Sequence, residues 1–228
     1  FKASISPTTS MAIVNVNADG SVIVHCSTTD MGQGSDTAMA QIAAEVLGVG
    51  VDKVIVIHPD TDVTPYDMST LGSRSTYHMG HAVRLAATEA RDKLAEMAKE
   101  LNLPEGTNAP VDELFRRKYG MQAGNVIGSG SFIPPYKPTG HDTGQSAEAT
   151  PYWMIGATGI ELSVDTETGH VTIERLITVA DLGTALNPEI VATQLSGAAI
   201  MQLGFTMTED MVYDAGQVTN ANLADYKI

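Results

Sequence analysis

Cysteine is almost absent from this chain of 228 residues, which contains one, Cys26. A single thiol excludes an internal disulfide, and it excludes zinc or iron–sulfur sites that need several cysteine ligands. Residues 1–7 also lack the basic and apolar regions of a signal peptide. We therefore expect a cytoplasmic protein, and the lack of an initiator methionine indicates a chain cut from a longer one.

Positive charge is scarce, since 13 lysines and arginines oppose 27 aspartates and glutamates and leave a net charge of −14. An acidic surface repels a phosphate backbone, which argues against nucleic-acid binding. Long apolar runs are missing too, because no segment reaches the roughly 20 continuous apolar residues of a membrane span. These absences favour a soluble globular protein, for which 43% hydrophobic residues supply the core.

Helix and strand patterns are mixed along the whole chain. In residues 1–138, a hairpin signal at Asp19-Gly20, an amphipathic helix that Gly48 is predicted to end, and an apolar strand precede a long helix. In residues 139–228, a second hairpin precedes a helix that Asn187 opens as its N-cap. Because strands and helices do not follow a strict βαβ order, we predict an α+β fold with mixed sheets covered by helices. The two segments are predicted to be similar-sized halves of one continuous domain.

The first candidate site is D-M-G-Q-G-S-D-T at residues 30–37, between a predicted strand and a predicted helix. The N-terminus of a helix presents N–H groups and partial positive charge, and Gly32 and Gly34 let a ligand approach the main chain closely. When these residues are taken alone, an ordinary tight turn is the favoured explanation. A nicotinamide-dinucleotide turn is disfavoured, because its G-x-G-x-x-G/A pattern needs a small residue where Thr37 stands.

The second candidate site is L-G-S-R-S-T at residues 71–76, where a long polar loop meets the long helix. Its hydroxyls and N–H groups, together with the guanidinium of Arg74, suit a phosphate or pyrophosphate. A serine cap beside a solvated arginine is the alternative. The acidic residues of the preceding loop are expected to cap its turns: Asp60, Asp62 and Asp67. His78 and His81 lack a third neighbouring ligand, so no metal-ligating residues are predicted.

Three stretches together resemble the molybdopterin-binding large subunit of the molybdenum hydroxylases, which include xanthine dehydrogenase, aldehyde oxidase, carbon monoxide dehydrogenase and 4-hydroxybenzoyl-CoA reductase. Two of them, residues 30–48 and 60–76, contain the motifs above, and the third is A-D-L-G-T-A-L-N-P-E-I-V-A-T-Q-L-S-G at 180–197. The family commonly has glycine where Thr193 stands. The resemblance implies that the cofactor-binding residues are Met31, Gly32, Gln33, Gly34, Gly72, Ser73, Arg74, Ser75 and Gln194.

The resemblance also implies a chemistry and partners. The cofactor is molybdopterin with molybdenum, with or without a cytosine dinucleotide tail, in an oxidoreductase that acts on an aldehyde, an N-heterocycle, an aryl-CoA or a similar substrate. The family's catalytic glutamate is expected beyond Ile228, so no catalytic residue is assigned and the fragment alone is expected to be inactive. The expected partners are the remainder of the molybdenum subunit and iron–sulfur and flavin subunits or domains, in a homo- or hetero-oligomer. The alternative is a structural or assembly subunit that keeps the fold without molybdenum.

Overall fold

The computed structural model describes residues 8–104, 109–120, 123–135, 137–148, 150 and 152–227. Contacts between Cα atoms divide the chain into two units, Phe1–Trp153 and Met154–Ile228. Both units combine helices with small sheets, so the predicted α+β class is confirmed. The boundary that the sequence places at 138/139 stays a prediction.

The first unit is a four-stranded mixed sheet with three α-helices among the described residues. In chain order its elements are β1 (Ser10–Asn17), β2 (Val22–Cys26), α1 (Ser35–Leu47), a short 3-10 turn (Val51–Lys53), β3 (Val54–Ile57), α2 (Ser75–Glu100), α3 (Val111–Tyr119) and β4 (Asn125–Phe132). The sheet order is β3-β2-β1-β4, in which β1 is antiparallel to β2 and β4, and β2 is parallel to β3. Because parallel strands end at the same edge of a sheet, the loops that follow β2 and β3 leave the sheet side by side.

The core lies between one face of this sheet and the helices. Successive side chains of a strand point to opposite faces, and on β1 and β2 every second side chain is buried. The facing stripe of α2 has no solvent exposure at Met79, Ala82, Val83, Ala86, Ala87 and Ala90. The stripe repeats at helical spacing, so α2 is held in place mainly by its contacts with the sheet.

β4 approaches α2 more closely than side chains would allow. A Cβ atom added at Gly128 would lie 2.0 Å from the carbonyl oxygen of Ala86, and one added at Gly130 would lie 2.1 Å from that of Ala82. Both distances are far shorter than a van der Waals contact, so the strand and the helix meet main chain to main chain. This close contact fixes the register of the start of α2, which bears the second candidate site.

Local signals place the ends of α1 and the first hairpin. Gly48 has a φ of 67° and donates its N–H to Ala44, as predicted for a glycine at the C-terminus of a helix. Between β1 and β2, the carboxylate of Asp19 accepts a hydrogen bond from the N–H of Ser21 at 2.9 Å. The hairpin and the helix end predicted from sequence are therefore confirmed.

The second unit is a hairpin followed by a long helix and short terminal elements. Its elements are β5 (Ile155–Val164), β6 (Val171–Asp181), α4 (Pro188–Met207), β7 (Tyr213–Asp214), β8 (Gln217–Val218) and α5 (Leu223–Tyr226). The β5–β6 pairing is antiparallel, as predicted. Asn187 caps α4 as predicted, because its side chain accepts a hydrogen bond from Ile190 at 3.1 Å.

α4 is rich in apolar residues. It spans 20 residues, its mean hydropathy reaches 1.3, and within the described residues it alone is long and apolar enough to cross a membrane. None of its residues is buried, and Met201 is 71% exposed. The helix nevertheless contains Glu189 and several amide and hydroxyl side chains. The predicted absence of a membrane span therefore stays a prediction.

Candidate functional site

The two candidate sites lie next to each other in the first unit. We call residues 27–34, which follow β2, the first loop, and residues 58–74, which follow β3, the second loop. The main-chain N–H of Thr29 donates a hydrogen bond of 2.8 Å to the hydroxyl of Thr70. The residues that immediately precede the two predicted motifs are thus joined directly in the folded unit.

A second set of contacts joins the bases of the two loops. The hydroxyl of Ser27 lies 2.8 Å from the hydroxyl of Thr64 and 2.5 Å from the carbonyl oxygen of Pro65. The neighbouring Thr28 is 1% exposed, and its hydroxyl has no partner among the described residues. A buried hydroxyl without a partner is costly, so this position has unused hydrogen-bonding capacity beside the site.

The carboxylate of Asp30 occupies the N-terminus of α1. It accepts hydrogen bonds from the N–H groups of Gly32 at 2.8 Å, Gly34 at 3.4 Å and Asp36 at 3.1 Å. Burial raises the pKa of Asp30, but these three donors outweigh burial and hold the pKa below its ordinary value. The N-terminus of α1, where the sequence predicts a bound ligand, is therefore already occupied by the carboxylate of Asp30 from the first loop.

The side chain of Gln33 closes the first loop on itself. Its Oε1 accepts a hydrogen bond from the N–H of Met31 at 2.5 Å, and its Nε2 donates to the carbonyl of Thr29 at 2.8 Å and to Ser35 at 3.1 Å. In this arrangement the glutamine supports the turn, and the exposed surface of the loop is formed by Met31 and Gly32. Met31 is 71% exposed.

A second carboxylate, Asp36, lies beside Asp30 in the first turn of α1. Burial raises the pKa of Asp36, and the charge of Asp30 raises it further. The exposed ring of His58 opposes this effect from 3.8 Å. The first loop therefore has a locally negative base, and a ligand anion is better accommodated on the second loop.

The second loop turns sharply just before α2. Gly72 and Ser73 are both in the left-handed region, with φ of 53° and 60°. Ser73 is exposed, and a serine in this conformation costs free energy that the surrounding contacts must offset. The hydroxyl of Tyr152 donates to the carbonyl of Ser73 at 3.3 Å and so contributes to holding the turn. Ser75 then begins the helix.

Arg74 lies beneath this turn and is only 3% exposed. Its Nη1 lies 2.7 Å from Asp67, whose side chain is 1% exposed. The alternative of a solvated arginine is therefore wrong. The prediction that Asp67 caps a turn is also wrong, because one oxygen of its carboxylate is paired with the guanidinium of Arg74. The contact predicted between Arg74 and the cofactor stays a prediction.

Aromatic side chains surround the start of α2. Tyr77 lies edge-on to Tyr152 with ring centroids 4.9 Å apart, and His81 stacks on Phe132 at 4.4 Å. Burial lowers the pKa of His81, and the charge of Arg84 lowers it further, so both effects favour the neutral ring. Tyr152 is not predicted from the sequence, because it is distant from the second loop along the chain and no motif includes it.

The remaining predicted site residue lies in the second unit. Gln194 is exposed on α4, about two turns after the N-cap. Its combination with the two loops of the first unit stays a prediction. Among the residues that the structure describes, no three histidine, cysteine, aspartate or glutamate side chains are grouped so that they could hold a metal ion.

Comparisons with known proteins identify the family. A model of the molybdopterin cofactor-binding domain matches residues 1–228. The chain belongs to this family. It is 32% identical over 94% of its length to the probable hypoxanthine oxidase XdhD of Escherichia coli, and 34% identical over 93% to the putative xanthine dehydrogenase molybdenum-binding subunit XdhA of the same organism. It covers 23% and 30% of those two proteins, so it spans about a quarter of the length of such relatives.

A solved structure agrees with the family assignment. The reconstituted carbon monoxide dehydrogenase from Oligotropha carboxidovorans superposes with a TM-score of 0.79 at 27% identity. The match covers 95% of this chain and 28% of that chain. The resemblance to molybdenum hydroxylase large subunits, predicted from three motifs, is thus confirmed, and the chain is a molybdopterin-binding domain.

The exposed donors of the two loops fit such a cofactor. Gly32 is exposed, with a φ of 101° and open space where a side chain would begin, so a ligand can approach its main chain closely even though its N–H already donates to Asp30. Ser73 adds an exposed hydroxyl, and the buried hydroxyl of Thr28 lacks a partner among the described residues. Hydroxyl and N–H donors match the edge of a pterin and the oxygens of its phosphate.

Proposed function

We propose that this chain is the cofactor-binding part of the large subunit of a molybdenum-dependent hydroxylase or dehydrogenase. The parent protein would be an oxidoreductase that acts on an aldehyde, an N-heterocycle, an aryl-CoA or a similar substrate. The observation that carries the proposal is the 2.8 Å hydrogen bond between Thr29 and Thr70, which joins the two loops that contain the candidate motifs. The names of the relatives, an oxidase and a molybdenum-binding subunit, support the same chemistry.

The proposed cofactor-binding residues of the first unit lie in the two loops and at the start of α2, and they are Met31, Gly32, Gln33, Gly34, Gly72, Ser73, Arg74 and Ser75. In the second unit, the proposed residue is Gln194 on α4. The N–H groups and hydroxyls of the second loop would bind the phosphate, because the base of the first loop already contains two carboxylates. The peptide of Gly32 and the amide of Gln194 would hydrogen-bond the pterin. When bound, the molybdenum cofactor supplies two-electron redox chemistry.

Further protein is needed for turnover. We propose that the remainder of the molybdenum subunit provides the catalytic glutamate, and that iron–sulfur and flavin subunits or domains accept the electrons. The relatives include a carbon monoxide dehydrogenase large chain and a nicotine 6-hydroxylase large subunit, names that imply other subunits. We further propose a cytoplasmic location and an oligomeric assembly in which α4 is covered by protein. The 228-residue chain alone is expected to show no turnover.

Metal and pterin analysis of the intact polypeptide tests the proposal. We expect stoichiometric molybdenum and pterin in the unaltered protein and clearly less of both in Ser73→Ala/Ser75→Ala. A matched control is Ser163→Ala, which removes an exposed hydroxyl from the β5–β6 hairpin. Unchanged molybdenum in the double variant, or turnover by the isolated chain, would contradict the proposal.

The role of Gln194 needs its own comparison. Gln194→Ala is expected to lower the pterin content, whereas Gln202→Ala, at another exposed position of the same helix, is expected to leave it unchanged. Gln202→Ala also removes a hydrogen bond of 3.2 Å to Thr206, so a loss of pterin confined to Gln194→Ala would not reflect a weaker helix. Equal pterin content in the two variants would exclude Gln194 from the site.

A structural or assembly subunit without molybdenum is the second candidate. One observation favours it: the carboxylate of Asp30 and the amide of Gln33 already engage the N–H groups of the first loop. A protein of this kind would contain neither pterin nor molybdenum after expression beside an active cofactor-synthesis pathway. The same metal analysis therefore separates the two candidates.

A further inference from the structure

A closed polar triangle lies below the second loop. The hydroxyl of Ser10 donates to Asp67 at 2.6 Å and accepts from Nη2 of Arg74 at 2.9 Å, while Nη1 of Arg74 lies 2.7 Å from the same carboxylate oxygen. Ser10 is fully buried and begins β1. The loop is therefore attached at its underside to the central strands of the sheet.

Main-chain contacts continue this attachment. Asp67 forms an isolated antiparallel bridge with Ser10, and the N–H of Met11 donates to the carbonyl of Tyr66 at 3.1 Å. β2 ends at Cys26, which pairs with Ala12, so the second loop takes the place of β2 beside the first residues of β1. The loop thus enters the sheet at the point where the polar triangle lies.

The ion pair is not arranged for maximal stability. Within the described residues, Oδ2 of Asp67 and Nε of Arg74 are buried and have no hydrogen-bond partner. Burying two charges is costly, and a buried pair with unmet hydrogen bonds does not recover that cost fully. A function in setting the conformation of the loop explains why the two charges are buried here.

The segment enclosed by the pair contains two residues of the proposed site. Between Asp67 and Arg74 lie Thr70, which accepts the hydrogen bond from the first loop, and the left-handed pair Gly72 and Ser73. Nη1 of Arg74 also donates to the carbonyl of Ser69 at 2.9 Å, inside the same segment. Both ends and one interior point of residues 67–74 are therefore attached to the same guanidinium.

We propose that Asp67, Arg74 and Ser10 form a clamp that positions the segment 67–74 for the cofactor, and that the guanidinium does not bind the cofactor phosphate. Arg74 and Asp67 are positioning residues in this proposal, which rests on the proposed function. The clamp holds Ser73 in its left-handed conformation and Thr70 within reach of the first loop. The phosphate would then meet hydroxyls and N–H groups whose positions are set before it binds.

Asp67→Asn separates the clamp from direct phosphate binding, because the two mechanisms predict opposite signs. If the guanidinium bound phosphate, removal of the competing carboxylate would free Arg74 and leave cofactor content equal or higher. If the clamp operates, the amide weakens the attachment, and the molybdenum and pterin content of the intact polypeptide should fall about tenfold, as is typical when a group that orients a ligand-binding residue is lost. Unchanged or increased content would overturn the proposal.

Arg74→Lys and Ser10→Ala provide independent measurements. A lysine keeps the charge but cannot reach Asp67, Ser10 and Ser69 together, so it should lose cofactor as Asp67→Asn does. Ser10→Ala removes one side of the triangle without adding or removing charge, and it should give an intermediate loss. Full cofactor content in Arg74→Lys would contradict the clamp.

Controls separate positioning from general stability. Asp92→Asn breaks an exposed pair with Arg91 and should leave cofactor content unchanged. Val14→Ala removes buried volume from β1. It can be compared with Asp67→Asn under conditions in which the two variants have the same thermal stability. Hydrogen exchange in the cofactor-free protein should accelerate at residues 68–73 in Asp67→Asn but not in Val14→Ala. If Asp67→Asn and Val14→Ala lost equal amounts of cofactor, and Asp67→Asn showed no faster exchange at residues 68–73, the Asp67–Arg74 pair would only stabilise the fold.

The same measurements distinguish failure of the clamp proposal from failure of the proposed function. If the unaltered protein carries no pterin while its cofactor-free form still shows faster exchange at residues 68–73 in Asp67→Asn, the proposed function fails and the clamp has another purpose. If the unaltered protein carries pterin and Asp67→Asn carries as much, the clamp proposal alone fails.

Discussion

The N–H of Thr29 donates to the hydroxyl of Thr70 across 2.8 Å, although 41 positions separate the two residues in sequence. This one contact joins the loop that follows β2 to the loop that follows β3. It exists because β2 and β3 are parallel, so both loops leave the same edge of the sheet. A bond between two exposed loops contributes little to global stability, and its effect is expected in the geometry of the site.

Thr70→Val tests this contact. The substitution removes the acceptor while it keeps the branched shape, so the free energy of unfolding should fall by about 1 kcal/mol or less. The molybdenum content of the purified protein should fall more clearly, because the two loops lose one of their direct hydrogen bonds and keep only those of Ser27 at their bases. Thr172→Val on β6 is the matched control, since its side chain is exposed in the second unit. If Thr70→Val retained its full molybdenum content, the two loops would be shown to bind the cofactor without the hydrogen bond between Thr29 and Thr70.

Asp30→Ala tests the internal anion at the start of α1. Three N–H groups lose their acceptor, and loss of a carboxylate at a helix N-terminus typically costs about 1 kcal/mol of unfolding free energy. Asp30→Asn keeps one acceptor oxygen and should lie between the alanine variant and the unaltered protein. Urea unfolding at pH 7 measures both. Equal stability of all three proteins would contradict the capping role of Asp30.

The effect of Asp30 should depend on pH. The folded protein lowers the pKa of this carboxyl below its ordinary value, so the charged form is bound more favourably in the folded state. The stabilisation is therefore complete above the unfolded pKa of about 4 and disappears as the pH falls through the lower folded value. The difference between the unaltered protein and Asp30→Asn should narrow over that range. A difference that grew towards acid would reverse this assignment.

Local signals in the sequence predicted much of the fold and the existence of both loops. The hairpin at Asp19, the C-terminal glycine of α1 and the cap at Asn187 depend on neighbours within a few positions, and each is found in the structure. The glycine and hydroxyl motifs are similarly local. They predict candidate ligand-binding loops without requiring knowledge of the sheet.

The underside of the second loop could not be predicted in the same way. The carboxylate of Asp67 accepts a hydrogen bond from Ser10, which lies 57 positions earlier in the sequence. Only the register of the second loop beside β1 brings these two residues together. An aspartate in a polar loop and a serine at the start of a strand carry no pattern that indicates their pairing. Tyr152, which reaches Ser73 from 79 positions away, was missed for the same reason.

Gly130→Ala tests the close packing that positions α2. The added methyl group would lie 2.1 Å from the carbonyl oxygen of Ala82, and neither main chain can move without disturbing the sheet. Overpacking of this kind should cost about 3 kcal/mol of unfolding free energy in denaturant titration. Gly159→Ala is the control, because nothing lies within 4 Å of its added Cβ atom. Similar stability of the two variants would show that β4 and α2 can separate without cost.

Cys26 should be inert in the folded protein. Its side chain is 1% exposed at the end of β2, and burial raises the pKa of its thiol to about 11. At pH 8 the thiolate, which is the reactive form, is then only about one-thousandth of the population. Iodoacetamide should leave the native protein unlabelled and should modify one thiol per chain after unfolding in urea. Because Cys26 immediately precedes the first loop, rapid labelling of the native protein would mean that β2 opens at its C-terminal end and that the first loop is not held by the sheet.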